Sequence, residues 1–295
     1  MNLAGVFAPI PTPFDEQDRV DTNRLRAALL RWLPRPITGF VVLGSNGEAV
    51  LLDDFESDRV IVAAREAVPR DRPFIVGTGR ESTQAAVRAA KRAAEHGADA
   101  VLVRTPGFFK SQMTTDAFVR HYTEVADASP VPVLLYNFTA LTGVTLLPAA
   151  AGRLATHPNI IGMKESGGDV AHIADLVAAT PKDFGVLAGS AGTFYPSLCV
   201  GAVGGILALS CVVPDPVMRL FELMRAGKHD EARALQRELV PLARLLGTHS
   251  IPGLKAALNL IGWDVGVPRP PLAPASDAAV AALRDAVARF EEIPA

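Results

Sequence analysis

The sequence predicts an α/β chain folded as a (β/α)8 TIM barrel with a small C-terminal helical domain. Three observations carry that reading. Short apolar runs of strand length alternate with longer amphipathic runs eight times before residue 228. The short runs are apolar throughout rather than at every second position, which suits parallel strands covered on both faces. After Lys228 the alternation stops, and helical patterns follow one another with no strand between them. A doubly wound open sheet is the competing arrangement. Its dinucleotide signal is weak here: Gly77-Thr78-Gly79 follows a strand, but no third glycine opens the next helix.

In chain order, the expected strands are 6–8, 39–43, 74–76, 100–103, 131–135, 160–163, 185–187 and 204–207. The expected helices between them are 21–33, 54–67, 82–95, 114–127, 148–155, 170–179, 192–200 and 214–226. Ser82 stands before an alanine-rich run and Thr114 before Phe118 and Tyr122, as helix N-caps do; Gly97 and Gly227 stand where helices stop. In the tail, 230–246, 251–261 and 276–290 read as helices, with Pro268, Pro270, Pro271 and Pro274 stiffening the connection before the last. This pattern divides the chain into a barrel over 1–228, which carries the active site, and a helical domain over 229–295.

Bulk properties exclude several classes. A 49% hydrophobic content points to a large core, and a formal charge of −2 gives no reason to expect nucleic acid or an anionic membrane as partner. The longest uncharged apolar stretch, 198–213, has 16 residues, short of the roughly 20 a spanning helix needs. No basic segment followed by an apolar one opens the chain, so a cytoplasmic protein is expected. Cys199 and Cys211 lie in an apolar stretch and read as free core cysteines. The histidines are dispersed, and no pair has ligand spacing on one helix face, so no metal site is expected.

Lys164 is the most informative residue. The chain has six lysines against 23 arginines, and only Lys164 ends an apolar strand, in Asn159-Ile160-Ile161-Gly162-Met163-Lys164. Burial disfavours the charged form of an amine, and a neutral amine attacks carbonyl carbon. An ion-paired lysine at a strand end is the alternative. In a barrel the chemistry sits on the loops after the strands. Reading those positions adds Tyr136, which is either a core ring or a proton carrier, and the small turn Gly44-Ser45-Asn46-Gly47, which is either a plain turn or an anion holder. Glu48 is either a base or, as is more usual for a carboxylate after a glycine turn, a residue that caps or orients the following helix start. A strand-end lysine, a strand-end tyrosine and an anion-holding turn together suit carbon–carbon chemistry on a 2-keto acid.

These residues together resemble the pyruvate-dependent class I aldolase family that contains dihydrodipicolinate synthase and N-acetylneuraminate lyase. The resembling stretches run from Pro9-Ile10-Pro11-Thr12-Pro13-Phe14 through Gly44-Ser45-Asn46-Gly47-Glu48, Gly162-Met163-Lys164-Glu165-Ser166-Gly167-Gly168-Asp169 and Leu187-Ala188-Gly189-Ser190-Ala191-Gly192 to Ile251-Pro252-Gly253-Leu254-Lys255. Within the family the chain looks most like the 4-hydroxy-2-oxoglutarate aldolases. The resemblance implies that Lys164 forms a Schiff base with the 2-keto group and that Tyr136 moves protons as general acid and base. It implies that Ser45 and Asn46 hold the keto-acid carboxylate, and that Ser166 and Ser190 line the pocket toward the distal part of the substrate. It also implies cleavage of a 4-hydroxy-2-keto acid to pyruvate and an aldehyde such as glyoxylate, no external cofactor, and a homotetramer built from dimers.

The chain departs from the family pattern at three places. Phe108-Phe109 stands where a tyrosine pair is usual, Thr139 where a proline is usual, and Leu141 where dihydrodipicolinate synthases carry an arginine for the second substrate's carboxylate. Loss of such a charge-assisted partner, about 1.5–3 kcal/mol, disfavours that condensation. The alternatives are a 2-keto-3-deoxy sugar acid aldolase or dehydratase, a dihydrodipicolinate synthase-like enzyme, and a non-catalytic keto-acid-binding homologue.

Overall fold

The computed structural model describes residues 1–293. Its strands are β1 (Gly5–Pro9), β2 (Gly39–Val42), β3 (Phe74–Gly77), β4 (Ala100–Arg104), β5 (Val133–Asn137), β6 (Ile160–Glu165), β7 (Gly185–Ala188) and β8 (Gly204–Ile206). They form one closed parallel barrel in chain order, surrounded by helices and followed by a helical C-terminal part. Nearly every strand residue is buried, which is why the strand runs lack polar positions.

The helices begin where the sequence offers caps. The Ser82 and Thr114 side chains accept the amides of Ala85 and Ala117, and Asp53 with Glu56 forms a reciprocal capping box at Asp54–Ala67. Gly97 and Gly227 end helices at φ 88° and 70°, values that cost a residue with a side chain far more. Three differences from the sequence reading are local. Strand β6 runs two residues beyond Met163. Short helices at Thr139–Thr142 and Leu209–Val212 were not anticipated, being too brief to carry a periodic signal. The expected tail helices 230–246 and 251–261 form one hydrogen-bonded run, His229–Leu260, interrupted at Ser250 (φ 49°, ψ −135°) just before Pro252. Proline supplies no amide hydrogen there and crowds the residue before it.

The chain divides into two compact units, residues 1–5 with 74–206 and residues 6–73 with 207–295. In the first, β3 to β8 pair in sequence. Gly204 lies so close to Gly5 that an added Cβ would sit 2.7 Å from the Gly5 amide nitrogen. In the second, β1 pairs with β2, and Trp32 is fully buried with its indole N–H donating to the Cys211 carbonyl at 2.9 Å. Cys211 is buried and in no disulfide, as expected; Cys199 is in no disulfide either but is exposed, because it ends a short helix on its solvent side. Among the described residues no helix is long and apolar enough to cross a membrane.

Candidate active site

Lys164 is the penultimate residue of β6, and its side chain is almost fully buried. Its register partner on β5 is Tyr136. Residues paired across neighbouring strands share a face of the sheet, and the Lys164 Nζ lies 4.5 Å from the Tyr136 ring centroid. That pairing depends on an irregularity. Val133 pairs with Ile160, but Leu134 pairs with Gly162, so β6 carries one extra residue at this point. In an unbroken register Met163 would oppose Tyr136. Because the side-chain period of a strand is two, a one-residue slip decides which of Met163 and Lys164 shares the tyrosine's face. Among the described residues the Lys164 amine makes no hydrogen bond or ion pair with protein. Of the two readings the sequence left open, the ion-paired lysine is therefore not the arrangement found.

A buried carboxylate braces the two strand ends. Glu165 accepts the Asn137 amide at 2.6 Å and the Gly167 backbone N–H at 2.6 Å, and Asn137 accepts the Leu146 N–H at 2.8 Å. The Glu165 carboxylate is thus satisfied without water. These bonds fix the positions of the residues that directly follow Tyr136 and Lys164. Neither Asn137 nor Glu165 was singled out by sequence reasoning, since a pair 28 residues apart has no local signature.

Ser166 and Ser190 follow β6 and β7. The Ser166 Oγ is buried and has no protein partner, and nor has the nearby Thr193 Oγ1. Gly189 presses on Ser166, whose Cα would be 2.9 Å from an added Cβ; the Ser190 Oγ would be 3.2 Å from a Cβ at Gly168. The structure therefore gathers both serines around small residues, with the Ser166 hydroxyl buried and without a protein partner.

Ser45 and Asn46 belong to the other unit. They form a tight turn after β2, with Gly47 N–H donating to the Gly44 carbonyl at 3.1 Å and Glu48 N–H to the Ser45 carbonyl at 3.0 Å. Leu43 and Glu48 flank it at φ 55° each, a left-handed conformation that is costly for residues with side chains. Asn46 makes no protein hydrogen bond among the described residues. The turn is held from below. Thr12 Oγ1 donates to the Gly47 carbonyl at 2.7 Å. Glu48 does not cap the helix start; its side chain is buried and takes the Lys255 Nζ at 2.6 Å and the Arg269 backbone N–H at 2.8 Å. The Lys255 contact is an ion pair whose angle lies outside a directional hydrogen bond, and Lys255 donates instead to the Val267 carbonyl at 2.9 Å. Burial pulls the Lys255 ammonium below its ordinary range, and Glu48 opposes that shift. The sequence placed Lys255 only in an amphipathic segment, because its partner lies some 200 residues earlier.

Phe108 and Phe109, after β4, pack edge to face with centroids 5.1 Å apart and are 77% and 69% exposed. Leu141 is 61% exposed.

Residues 2–289 match the Dihydrodipicolinate synthetase family. The chain is 37% identical over 292 residues, 99% of each chain, to the 4-hydroxy-tetrahydrodipicolinate synthase of Exiguobacterium sp. (strain ATCC BAA-1283 / AT1b). It superposes on the structure of the 4-hydroxy-tetrahydrodipicolinate synthase from Methylacidiphilum fumariolicum SolV with a TM-score of 0.93 and 32% identity, covering 98% of this chain and 96% of that one. A monomeric dihydrodipicolinate synthase variant superposes with a TM-score of 0.92 and 31% identity, covering 98% of this chain and 97% of that one.

Proposed function

The chain belongs to the dihydrodipicolinate synthetase family, and on that premise we propose that it makes or breaks a carbon–carbon bond next to a pyruvate imine formed on Lys164. The observation that carries this is the buried, unpaired Lys164 amine against the Tyr136 ring. A buried amine with no ionic partner is not held by a counter-charge, and in its deprotonated form it is a nucleophile for carbonyl carbon. It attacks the C2 carbonyl of the keto acid, and water leaves as the imine forms. Tyr136 passes the protons that this step and the next require. In cleavage, the Tyr136 oxygen takes the C4 hydroxyl proton, the C3–C4 bond breaks, and its electron pair moves into the imine to give an enamine. An aldehyde departs, and protonation at C3 followed by hydrolysis returns pyruvate and free Lys164. Condensation is the same path in reverse.

Ser45 and Asn46 are assigned the keto-acid carboxylate, and Ser166 and Ser190 the distal part of the partner. Each assignment is open to test by single replacement. The relatives described above bear the synthase name, which favours condensation over the cleavage of 4-hydroxy-2-oxoglutarate expected from the sequence. Leu141 favours the cleavage reading, because the family resemblance implies an arginine for the second substrate at that position in dihydrodipicolinate synthases. Borohydride reduction in the presence of pyruvate tests the shared step. It should add mass to the peptide that contains Lys164 and leave a Lys164→Ala variant unmodified; no adduct on the wild type, or an equal one on the variant, ends the proposal. Pyruvate release from 4-hydroxy-2-oxoglutarate, measured beside condensation of pyruvate with carboxylated aldehydes, then separates the two directions.

A further inference from the structure

Arg104 is a charged residue at the end of a barrel strand that the mechanism above leaves without a role. It closes β4, and its register partner on β5 is Tyr136, which is in turn the partner of Lys164 on β6. The three side chains therefore belong to one face of three consecutive strands. Two strand spacings, about 10 Å, separate the Cα atoms of Arg104 and Lys164.

The local packing holds Arg104 ready. A Cβ at Gly79 would overlap the Arg104 stem and would sit 2.6 Å from its amide nitrogen, so the glycine makes room for the side chain. One edge of the guanidinium is tied down: Nη1 donates to Glu81 Oε1 at 2.7 Å and to the Thr105 carbonyl at 3.2 Å. Glu81 is held in its turn by the backbone N–H groups of Gly107 and Phe108, at 3.0 and 2.9 Å on Oε2. Nε and Nη2 of Arg104 make no protein hydrogen bond among the described residues, and the side chain keeps 23% of its surface. An arginine fixed at one edge, with its other donors open, is organised for a carboxylate.

We propose that Arg104 is a specificity-determining residue that receives a carboxylate on the aldehyde half of the substrate, in place of the arginine that Leu141 replaces. The inference rests on the imine chemistry proposed above and adds to it the residue that receives the anionic group of the aldehyde. It applies to cleavage and to condensation alike, since the same aldehyde leaves or enters.

The test compares 4-hydroxy-2-oxoglutarate with 4-hydroxy-2-oxopentanoate, which differ only in a distal carboxylate against a methyl group. Wild type, Arg104→Met, Arg104→Lys and Glu81→Gln are assayed for pyruvate release, and the same pair is run in reverse as pyruvate with glyoxylate or acetaldehyde. Wild type should prefer the carboxylated member. Arg104→Met should lose about 10- to 100-fold in kcat/KM on that member alone, with Arg104→Lys recovering part of it. Equal losses on both members, matched by Glu81→Gln, would show that Arg104 only clamps the loop after β4 and would overturn the proposal. So would no loss on either. A wild type that forms the Lys164 adduct but turns over neither member overturns the proposal and leaves the imine reading standing. Absence of both adduct and turnover removes the imine reading, and the proposal with it.

Discussion

Tyr136 stands opposite Lys164 because β6 carries one residue more than β5 between their first and second paired positions. The slip puts an amine, rather than the Met163 thioether, against the phenol ring. This relationship separates two contributions of Tyr136: the ring shapes the amine's surroundings at 4.5 Å, while proton transfer is the role proposed for the hydroxyl. A Tyr136→Phe variant keeps the first and loses the second. It should still yield a borohydride-trapped pyruvate adduct, more slowly, while turnover falls by roughly 10²- to 10⁴-fold, the usual contribution of a positioned acid–base group. Single-turnover trapping and steady-state assays run side by side measure both effects. Unchanged turnover would remove the hydroxyl from the mechanism.

A second prediction concerns pH. His121 is buried behind the α-helix start at Thr83, with Nδ1 2.9 Å from the Thr83 hydroxyl. Burial lowers its pKa to about 4 from 6.5, partly offset by Glu124 and Glu81. The folded protein therefore keeps His121 neutral at pH values where the unfolded chain already binds a proton. Stability rises with pH wherever the unfolded state holds more protons, so this residue should cost stability progressively as pH falls from 6.5 to about 4. The full shift is worth roughly 3 kcal/mol. Urea unfolding at pH 7.5, 6 and 5 should show the loss, and a His121→Gln variant should show a shallower slope. Parallel slopes would assign the acid sensitivity elsewhere.

Much of this architecture was legible because local signals carry it. The cap at Ser82, the stop at Gly97 and the unbroken apolar runs each fix an element from neighbouring residues alone. Lys164 was legible for the same reason: one lysine ends one apolar strand. What was not legible depends on pairs far apart in sequence. The slip between β5 and β6, the Asn137–Glu165 brace and the Glu48–Lys255 pair have no periodic trace in either segment. Glu48 was misread as a helix-start residue because a carboxylate after a glycine turn usually serves there; only its burial against Lys255 reveals the other role. The boundary expected at residue 228 follows a change of pattern, whereas compactness groups 207–295 with 6–73.

Exposed Phe108 and Phe109 motivate a third prediction. Two large apolar rings left 77% and 69% in water are a local liability unless something covers them. The family resemblance implies a tetramer in which this loop meets a neighbouring subunit, although a monomeric synthase variant is among the superposing structures. Sedimentation velocity on wild type should give a species larger than 31.1 kDa. A Phe108→Asp, Phe109→Asp double variant should shift it toward monomer. A wild type that sediments as monomer at micromolar concentration would leave the two rings unexplained by assembly.

The last prediction concerns the support of the Ser45-Asn46 turn. Lys255 and Glu48 are both removed from water and 2.6 Å apart, with Lys255 Nζ also 4.4 Å from the Phe14 ring centroid. Arg269 covers the same ring at 4.3 Å and grips Glu56 with two bonds of 2.7 Å each. The Glu56 carboxyl is held below its usual range chiefly by those Arg269 bonds, with burial acting against them. Breaking a buried pair from one side strands the other charge, at about 3–5 kcal/mol, whereas replacing both with neutral groups of similar size is often tolerated. Lys255→Met and Glu48→Gln should therefore each destabilise the protein by about that amount in urea unfolding, and the double variant should recover most of it. The double variant then isolates the turn from the global stability. Without the pull of Lys255, Glu48 no longer has an ionic reason to hold φ 55°, and the turn relaxes toward ordinary backbone geometry. The carboxylate role proposed for Ser45 and Asn46 predicts that KM for the keto acid rises in that variant while kcat at saturation changes little. A double variant with wild-type KM would show that the pair stabilises the fold and does nothing for the turn.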